Sequence, residues 1–193
     1  MRNLKNDFAE SVKKMLDSKT LDKITVTDIV SDCKVSRQAF YYHFSDIYDI
    51  IEWIFKQETE YALETHRNID TWQIGYCNLL NWLKDNRSLV TNTYKSIQRE
   101  YIENFMYNVL FNYINQVVED QAKGLSVSKY QKEFVTKYFT LAFNGIALDW
   151  VRNGMKEEPQ KIVKNIEVLV RGDFKKALEN MHAENILYRQ PPV

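Results

Sequence analysis

Apolar residues recur at helical spacing along most of this chain, and the breaks between the runs mark its elements. Leu4, Phe8, Val12, Met15 and Leu16 define one face of a first helix that stops near Ser18. Leu21 and Ile24 then fold back ahead of two short helices, one buried through Ile29 and Val30, the other through Phe40 and Phe44. Asp46 suits the N-cap of a long connecting helix, in which Ile47, Ile50, Ile51, Ile54 and Phe55 continue through Tyr61 and Ala62 to near Thr65. After Asn68-Ile69-Asp70 comes a helix apolar nearly all round, with Trp72, Ile74, Tyr76, Cys77, Leu79, Leu80, Trp82 and Leu83. Such a helix is central in a bundle.

A short helix follows from Ser88 to Tyr94 and a longer one from Glu100 to Ala122, stopped by Lys123-Gly124. Ser128 caps the next helix, which runs through Trp150 and Val151 to Asn153-Gly154. Pro159 opens the last long run, and Gly172 either ends it or kinks it before Phe174, Ala177, Leu178 and Met181; the tail from Arg189 to Val193 is loose. Five glycines and three prolines are few for 193 residues, which favours long helices over a turn-rich sheet. The pattern predicts an all-α chain of about nine helices, with a three-helix head at residues 1–47 and a helical bundle at 48–193. A head this small has a thin core and leans on the helices after it.

The tract from Ile24 to Phe44 carries the most local information. Thr25 with Asp28 three residues on forms a capping-box pattern, and Ser36 is a second N-cap that opens the next helix. Two helices joined by a turn of about 3–4 residues cross steeply, so the second can project from the domain. It projects Ser36, Arg37, Gln38, Ala39, Tyr42 and His43, while Phe40 and Phe44 anchor it from behind. An anchored face opposite a donor-rich one suits insertion into a DNA major groove, as in a helix-turn-helix. The plainer alternative is a surface helical hairpin with a few aromatics.

The same tract resembles the N-terminal DNA-binding domain of the TetR family of bacterial transcriptional regulators. The pattern hydrophobic-Thr-Val-x-Asp-Ile stands at residues 24–29, and Val-Ser-Arg-x-x-Phe-Tyr-Tyr-His-Phe at 35–44. The segment from Phe44 to Phe55 also looks like the subgroup containing regulators of dihydroxyacetone kinase operons. The resemblance implies a homodimer that binds a palindromic double-stranded DNA operator, more often as a repressor, under control of a small-molecule effector in the C-terminal bundle. Thr27, Arg37, Gln38 and Ala39 are then expected at base edges, where Arg37 matches guanine O6 and N7. Thr25, Ser36, Tyr42 and His43 are expected on the DNA backbone, together with Lys34 and the Tyr41 hydroxyl. Two departures stand out. Lys34 occupies the turn position where the family often has glycine, so it must adopt or avoid a left-handed backbone there. Ile47 stands where a phosphate-binding lysine is common.

Charge pulls the other way. The 26 basic and 26 acidic residues cancel, whereas many nucleic-acid binders carry a basic stripe. Between Lys34 and Ser45, however, the formal charges are Lys34 and Arg37, with no acid. Helix N-termini also meet phosphates without net charge. This predicts binding that depends on placement, with weak non-specific affinity. Cys33 and Cys77 are far apart and read as reduced thiols of a cytoplasmic protein, Cys33 as a small buried apolar residue. No run approaches the roughly 18 apolar residues of a membrane span.

No glycine-rich phosphate loop occurs, and His43, His66 and His182 lack ligand spacing with one another or with a cysteine. The sequence gives no case for an enzyme, a metal or a cofactor. Trp72, Tyr76, Trp82, Phe105, Tyr113 and Tyr138 can line an apolar pocket between bundle helices, or can be plain core. Ala142, Gly145, Ile146, Trp150, Ile166 and Leu169 mark the face expected to pair with a second copy, since small residues permit close approach and isologous dimers are the commonest assembly. The rival reading is a helical ligand- or partner-binding protein without specific DNA binding.

Overall fold

A computed structural model describes residues 3–63, 71–96 and 99–189, apart from the side chains of 58–63, 188 and 189. Over these residues the chain is all-α. The helices are α1 (Leu4–Leu16), α2 (Val26–Cys33), α3 (Arg37–His43), α4 (Ile47–Leu63), α5 (Trp72–Asp85), α6 (Arg87–Tyr94), α7 (Glu100–Gln121), α8 (Lys129–Arg152), α9 (Pro159–Leu169) and α10 (Asp173–Arg189). A 3-10 turn at Leu21–Lys23 joins α1 to α2. The helix end near Thr65, the break at Asn68-Ile69-Asp70, His66 and the tail from Gln190 lie outside the described residues. The described residues hold one helix more than the expected total, because Gly172 ends a helix and does not kink it. Its φ of 80° is left-handed backbone that glycine adopts at little cost.

The helices gather into two compact units. The first comprises Met1–Tyr61 with Trp82–Phe105, and the second Ala62–Asn81 with Met106–Val193. In the first, Phe8, Val12 and Leu16 of α1 are buried with Leu21, Ile24, Ile29, Val30, Phe40 and Phe44. Phe8 meets Phe40 at 5.5 Å and Phe44 at 6.4 Å between ring centroids, both edge to face, the arrangement that aromatic quadrupoles favour. Cys33 is buried as expected, with its thiol directed at the Asp7 carbonyl 3.5 Å away. Asp46 caps α4: Oδ1 accepts from the N–H groups of Tyr48 (2.8 Å) and Asp49 (2.9 Å), while Asp49 Oδ2 accepts from Ser45 N–H at 2.9 Å. Four free N–H groups open any helix, so this cap fixes where α4 begins. Phe44 against Trp53 (6.0 Å) then ties α3 to α4.

In the second unit α8 is capped reciprocally by Ser128 and Gln131. Its inner face carries Val135, Phe139, Phe143 and Ala147, all buried. Phe139 lies 4.0 Å from Phe174 of α10, and Phe143 lies 5.2 Å from Tyr76 of α5. Two buried tyrosines close their hydroxyls on helix carbonyls: Tyr76 donates to Phe143 O at 2.8 Å and Tyr113 to Trp72 O at 3.0 Å. An unpaired buried hydroxyl is costly, so these bonds let large polar-tipped side chains fill an apolar core.

Candidate nucleic-acid interface

The tract that resembles a DNA reader folds as a helix-turn-helix, and each local signal has a physical counterpart. Thr25 N–H and its hydroxyl both donate to Asp28 Oδ2, at 2.9 and 2.8 Å, while Thr25 Oγ1 accepts from Asp28 N–H at 3.1 Å. The Thr25 hydroxyl, then its N–H, and more weakly Lys19 hold the Asp28 carboxyl below its ordinary range. α2 ends at Lys34, whose φ of 56° and ψ of 47° are left-handed. Of the two options open to this residue, it adopts the strained one. Val35 N–H closes the end by donating to Val30 O at 3.0 Å. A non-glycine residue held so costs on the order of 1–3 kcal/mol and persists only where its surroundings fix it.

α3 begins at Ser36, whose Oγ accepts from Ala39 N–H at 3.2 Å. Its own hydroxyl proton meets no acceptor among the described residues, whereas that of Thr25 is spent on Asp28. The two N-caps therefore differ in what they can offer a phosphate: Ser36 keeps a donor and Thr25 does not. Phe40 is fully buried, and it holds α3 so that Arg37, Gln38 and Tyr42 (84% exposed) point outward. Thr25, Thr27 and Lys34 are exposed as well, and Ala39 is half-buried. Tyr41 is about half exposed, with its ring edge-on to Phe40 at 5.4 Å. His43 sits between the rings of Phe8 and Tyr42, at 6.3 and 4.9 Å. Ile47 is half-buried at the start of α4 and supplies no cation.

The six aromatics expected to line a pocket are divided. Trp72, Tyr76 and Tyr113 are buried in the second unit, where Trp72 and Tyr76 share Phe143 as a ring neighbour at 5.3 and 5.2 Å. Trp82 and Phe105 belong to the first unit and pack on Phe55 at 5.4 and 5.1 Å. Tyr138 is a correction. It is 65% exposed on the outer face of α8, because one residue further along a helix turns by about 100° and the inward place belongs to Phe139.

The expected pairing face is also divided. Ala142, Gly145, Ile146 and Leu169 (74% exposed) are open to solvent. Trp150 and Ile166 are core of this chain itself: both are buried, and the Trp150 indole N–H donates to Glu157 O at 2.9 Å. In their place α8 presents Tyr130, Phe134, Tyr138 and Leu141, which continue the same outward stripe toward its N-terminus. Sequence reading missed Tyr130 and Phe134. Their i, i+4 spacing was visible, but the same spacing describes an inward face equally well.

Among the described residues no group of His, Cys, Asp or Glu could hold a metal ion, and no helix is long and apolar enough to cross a membrane.

The class defined by this fold and site is that of helix-turn-helix regulators with a helical C-terminal region. Residues 70–172 match the TetR family profile described as a transcriptional regulator C-terminal region. The chain belongs to the TetR family of transcriptional regulators. It is 24% identical over 149 residues to the HTH-type dhaKLM operon transcriptional activator DhaS of Lactococcus lactis, covering 76% of this chain and 79% of that protein. A solved structure of the dihydroxyacetone kinase operon activator DhaS superposes with a TM-score of 0.67 at 24% identity, over 89% of this chain and 96% of the other. The fatty acid degradation regulator FadR from Bacillus halodurans gives a TM-score of 0.63 at 14% identity, over 89% and 97%. The TetR family repressor AlkX from Dietzia gives 0.53 at 11%, over 89% and 98%. These solved structures share the fold. The family and these relatives are regulators and not enzymes.

Proposed function

We propose that this chain is a sequence-specific DNA-binding regulator that acts in the cytoplasm as a homodimer on a palindromic operator. The observation that carries the reading is α3 itself, buried behind through Phe40 and open in front through Arg37, Gln38 and Tyr42. In this reading Arg37, Gln38, Ala39 and Thr27 meet base edges, while Ser36, Tyr42, His43, Lys34 and Tyr41 hold the backbone. Thr25 serves α2 as a cap, and its part in phosphate contact passes to Ser36. The second copy docks on the outward stripe of α8, from Tyr130 through Leu141 to Ile146, with Leu169 of α9 beside it. Among the relatives, DhaS is named an activator and AlkX a repressor, and a reporter fusion fixes the sign for this chain.

A small-molecule effector in the second unit is the proposed control, with the Trp72, Tyr76 and Tyr113 region as its wall. It acts only through different affinities for the DNA-competent and DNA-free arrangements, and a coupling of about 1–3 kcal/mol shifts operator affinity roughly 5–150-fold. The test of the reading is a mobility shift with the palindromic region upstream of the chain's own gene. A salt-resistant complex at one discrete site supports it. Equal affinity for that region and for random duplex favours the rival, a helical ligand- or partner-binding protein without specific DNA binding, which the zero net charge also suits. Titrating candidate effectors with and without operator tests the control separately, because linkage requires equal and reciprocal shifts.

A further inference from the structure

Phe44, Ser45 and Asp46 are all that separate α3 from α4, and this joint is held by hydrogen bonds on both sides. Phe44 N–H donates to Phe40 O at 3.0 Å, the Asp49 carboxylate accepts from Ser45 N–H, and Asp46 accepts from Tyr48 and Asp49. α3 therefore turns together with the first turn of α4. Whatever holds that turn also aims α3.

A side chain from well beyond the head reaches that turn. Tyr48, in the first turn of α4, stacks on Tyr101, in the first turn of α7, with ring centroids 4.7 Å apart and planes 11° from parallel. This is an offset stack, one of the arrangements that aromatic pairs favour. Tyr101 is 40% exposed, and among the described residues Tyr48 is its one ring neighbour. Nearby residues of the same unit brace other points: Trp82 and Phe105 pack on Phe55 midway along α4, and Asn92 bonds Leu16 O at the end of α1. Of these four residues, Tyr101 is the one that meets the turn carrying α3.

Resting on the DNA-binding reading above, we infer that Tyr101 is a positioning residue for sequence reading, its ring fixing the tilt of the α3–α4 joint through Tyr48. Residues 1–47 then carry the groups that face DNA but not all the means of aiming them. Hydrogen bonds to base edges carry the sequence information and weaken steeply with angle. Attraction between cations and phosphates falls off slowly with distance. Loss of the stack therefore costs discrimination before it costs grip.

The experiment compares the full-length chain with Tyr101→Ala and Tyr101→Phe. It measures affinity for the palindromic duplex upstream of the chain's own gene and for a random duplex, and amide exchange at Ser45, Tyr48 and Asp49. An aromatic pair biases a choice between two placements about 2–10-fold. Tyr101→Ala is expected to lower palindrome affinity by about that factor per head and to leave random-duplex affinity unchanged. It is also expected to speed exchange at the three amides. Tyr101→Phe keeps the ring and should match wild type in every measurement. The inference is overturned if Tyr101→Ala keeps the palindrome affinity or the amide protection, or if it weakens both duplexes alike. It is equally overturned if Tyr101→Phe loses as much as Tyr101→Ala, since the hydroxyl and not the stack would then matter. A wild-type chain that does not prefer the palindrome defeats the DNA-binding reading itself, and amide exchange then decides whether Tyr101 holds the joint. The exposed position lets both variants fold, which thermal melts verify.

Discussion

Asn92 of α6 donates its side-chain N–H to the carbonyl of Leu16, the last residue of α1, at 2.6 Å. The carbonyls of a helix's last turn have no partner within the helix, so a side chain 76 positions away in sequence supplies one. The bond makes α6 part of the support on which the thin core of the head rests.

Replacing Asn92 with Ala therefore removes more than an ordinary hydrogen bond. Leaving a part-buried acceptor unmet costs about 1–3 kcal/mol. Urea denaturation should show a lower midpoint by that amount, and amide exchange should quicken at the end of α1 and little elsewhere. A variant as stable as wild type would mean that water replaces the amide without loss.

Gly75 gives a prediction in which two effects compete. Alanine is better than glycine in a helix by about 1 kcal/mol. A Cβ at position 75, however, would overlap the Tyr113 hydroxyl and come within 2.8 Å of Cζ of the same ring. That ring is fixed by its bond to Trp72 O. Overpacking costs about 1–3 kcal/mol, and loss of the buried hydroxyl bond adds to it. Gly75→Ala should destabilise, and Gly75→Ala with Tyr113→Phe should recover part of the loss. Net stabilisation by the single change would contradict the packing described.

Burial pushes the Tyr76 hydroxyl far above its ordinary value of 10.0. The folded chain keeps this proton where the unfolded chain has lost it. Stability from this group is thus complete below about pH 10 and declines as the pH rises beyond that. Tyr76→Phe should cost about 0.5–1.5 kcal/mol at neutral pH through its bond to Phe143 O. It should also flatten the fall in stability between about pH 10 and 12, read by denaturant melts at stepped pH. An unchanged alkaline slope would mean that Tyr76 is accessible to hydroxide.

A charge on the outward stripe of α8 separates a pairing face from a bare one. Ala142→Asp or Ile146→Lys changes an exposed position, so the fold should survive. If a second copy covers the stripe, an unpaired buried charge costs several kcal/mol, enough to dissociate most dimers. Sedimentation should then show folded monomers with weakened operator binding. Unchanged dimers would remove these positions from the interface.

Legibility in the sequence tracks how local each cause is. The capping box at Thr25 and Asp28, the N-caps Ser36, Asp46 and Ser128, and the stop at Gly124 each depend on a few neighbouring residues, and each stands where the pattern put it. For Lys34 the sequence leaves two options open, because the closure of Val35 on Val30 decides between them. The pattern places Tyr138 and Trp150 on the wrong sides of α8, because which side is inward depends on Phe174 of α10 and on how the loop after α8 brings Glu157 back to Trp150. Aromatic content alone does not distinguish an inner stripe from an outer one. For the same reason nothing local foretold that Asn92 would meet Leu16.

Reading of DNA sequence by α3 through Arg37 is the central claim. Its most direct test compares operator and random-duplex affinities of wild type and Arg37→Ala at fixed salt, by fluorescence anisotropy. A bidentate arginine–guanine contact is worth about 1–3 kcal/mol of discrimination. The ratio of the two affinities should therefore fall roughly 5–150-fold per half-site, while the control Tyr42→Phe weakens both duplexes alike. An Arg37→Ala chain that keeps the wild-type ratio would contradict the claim.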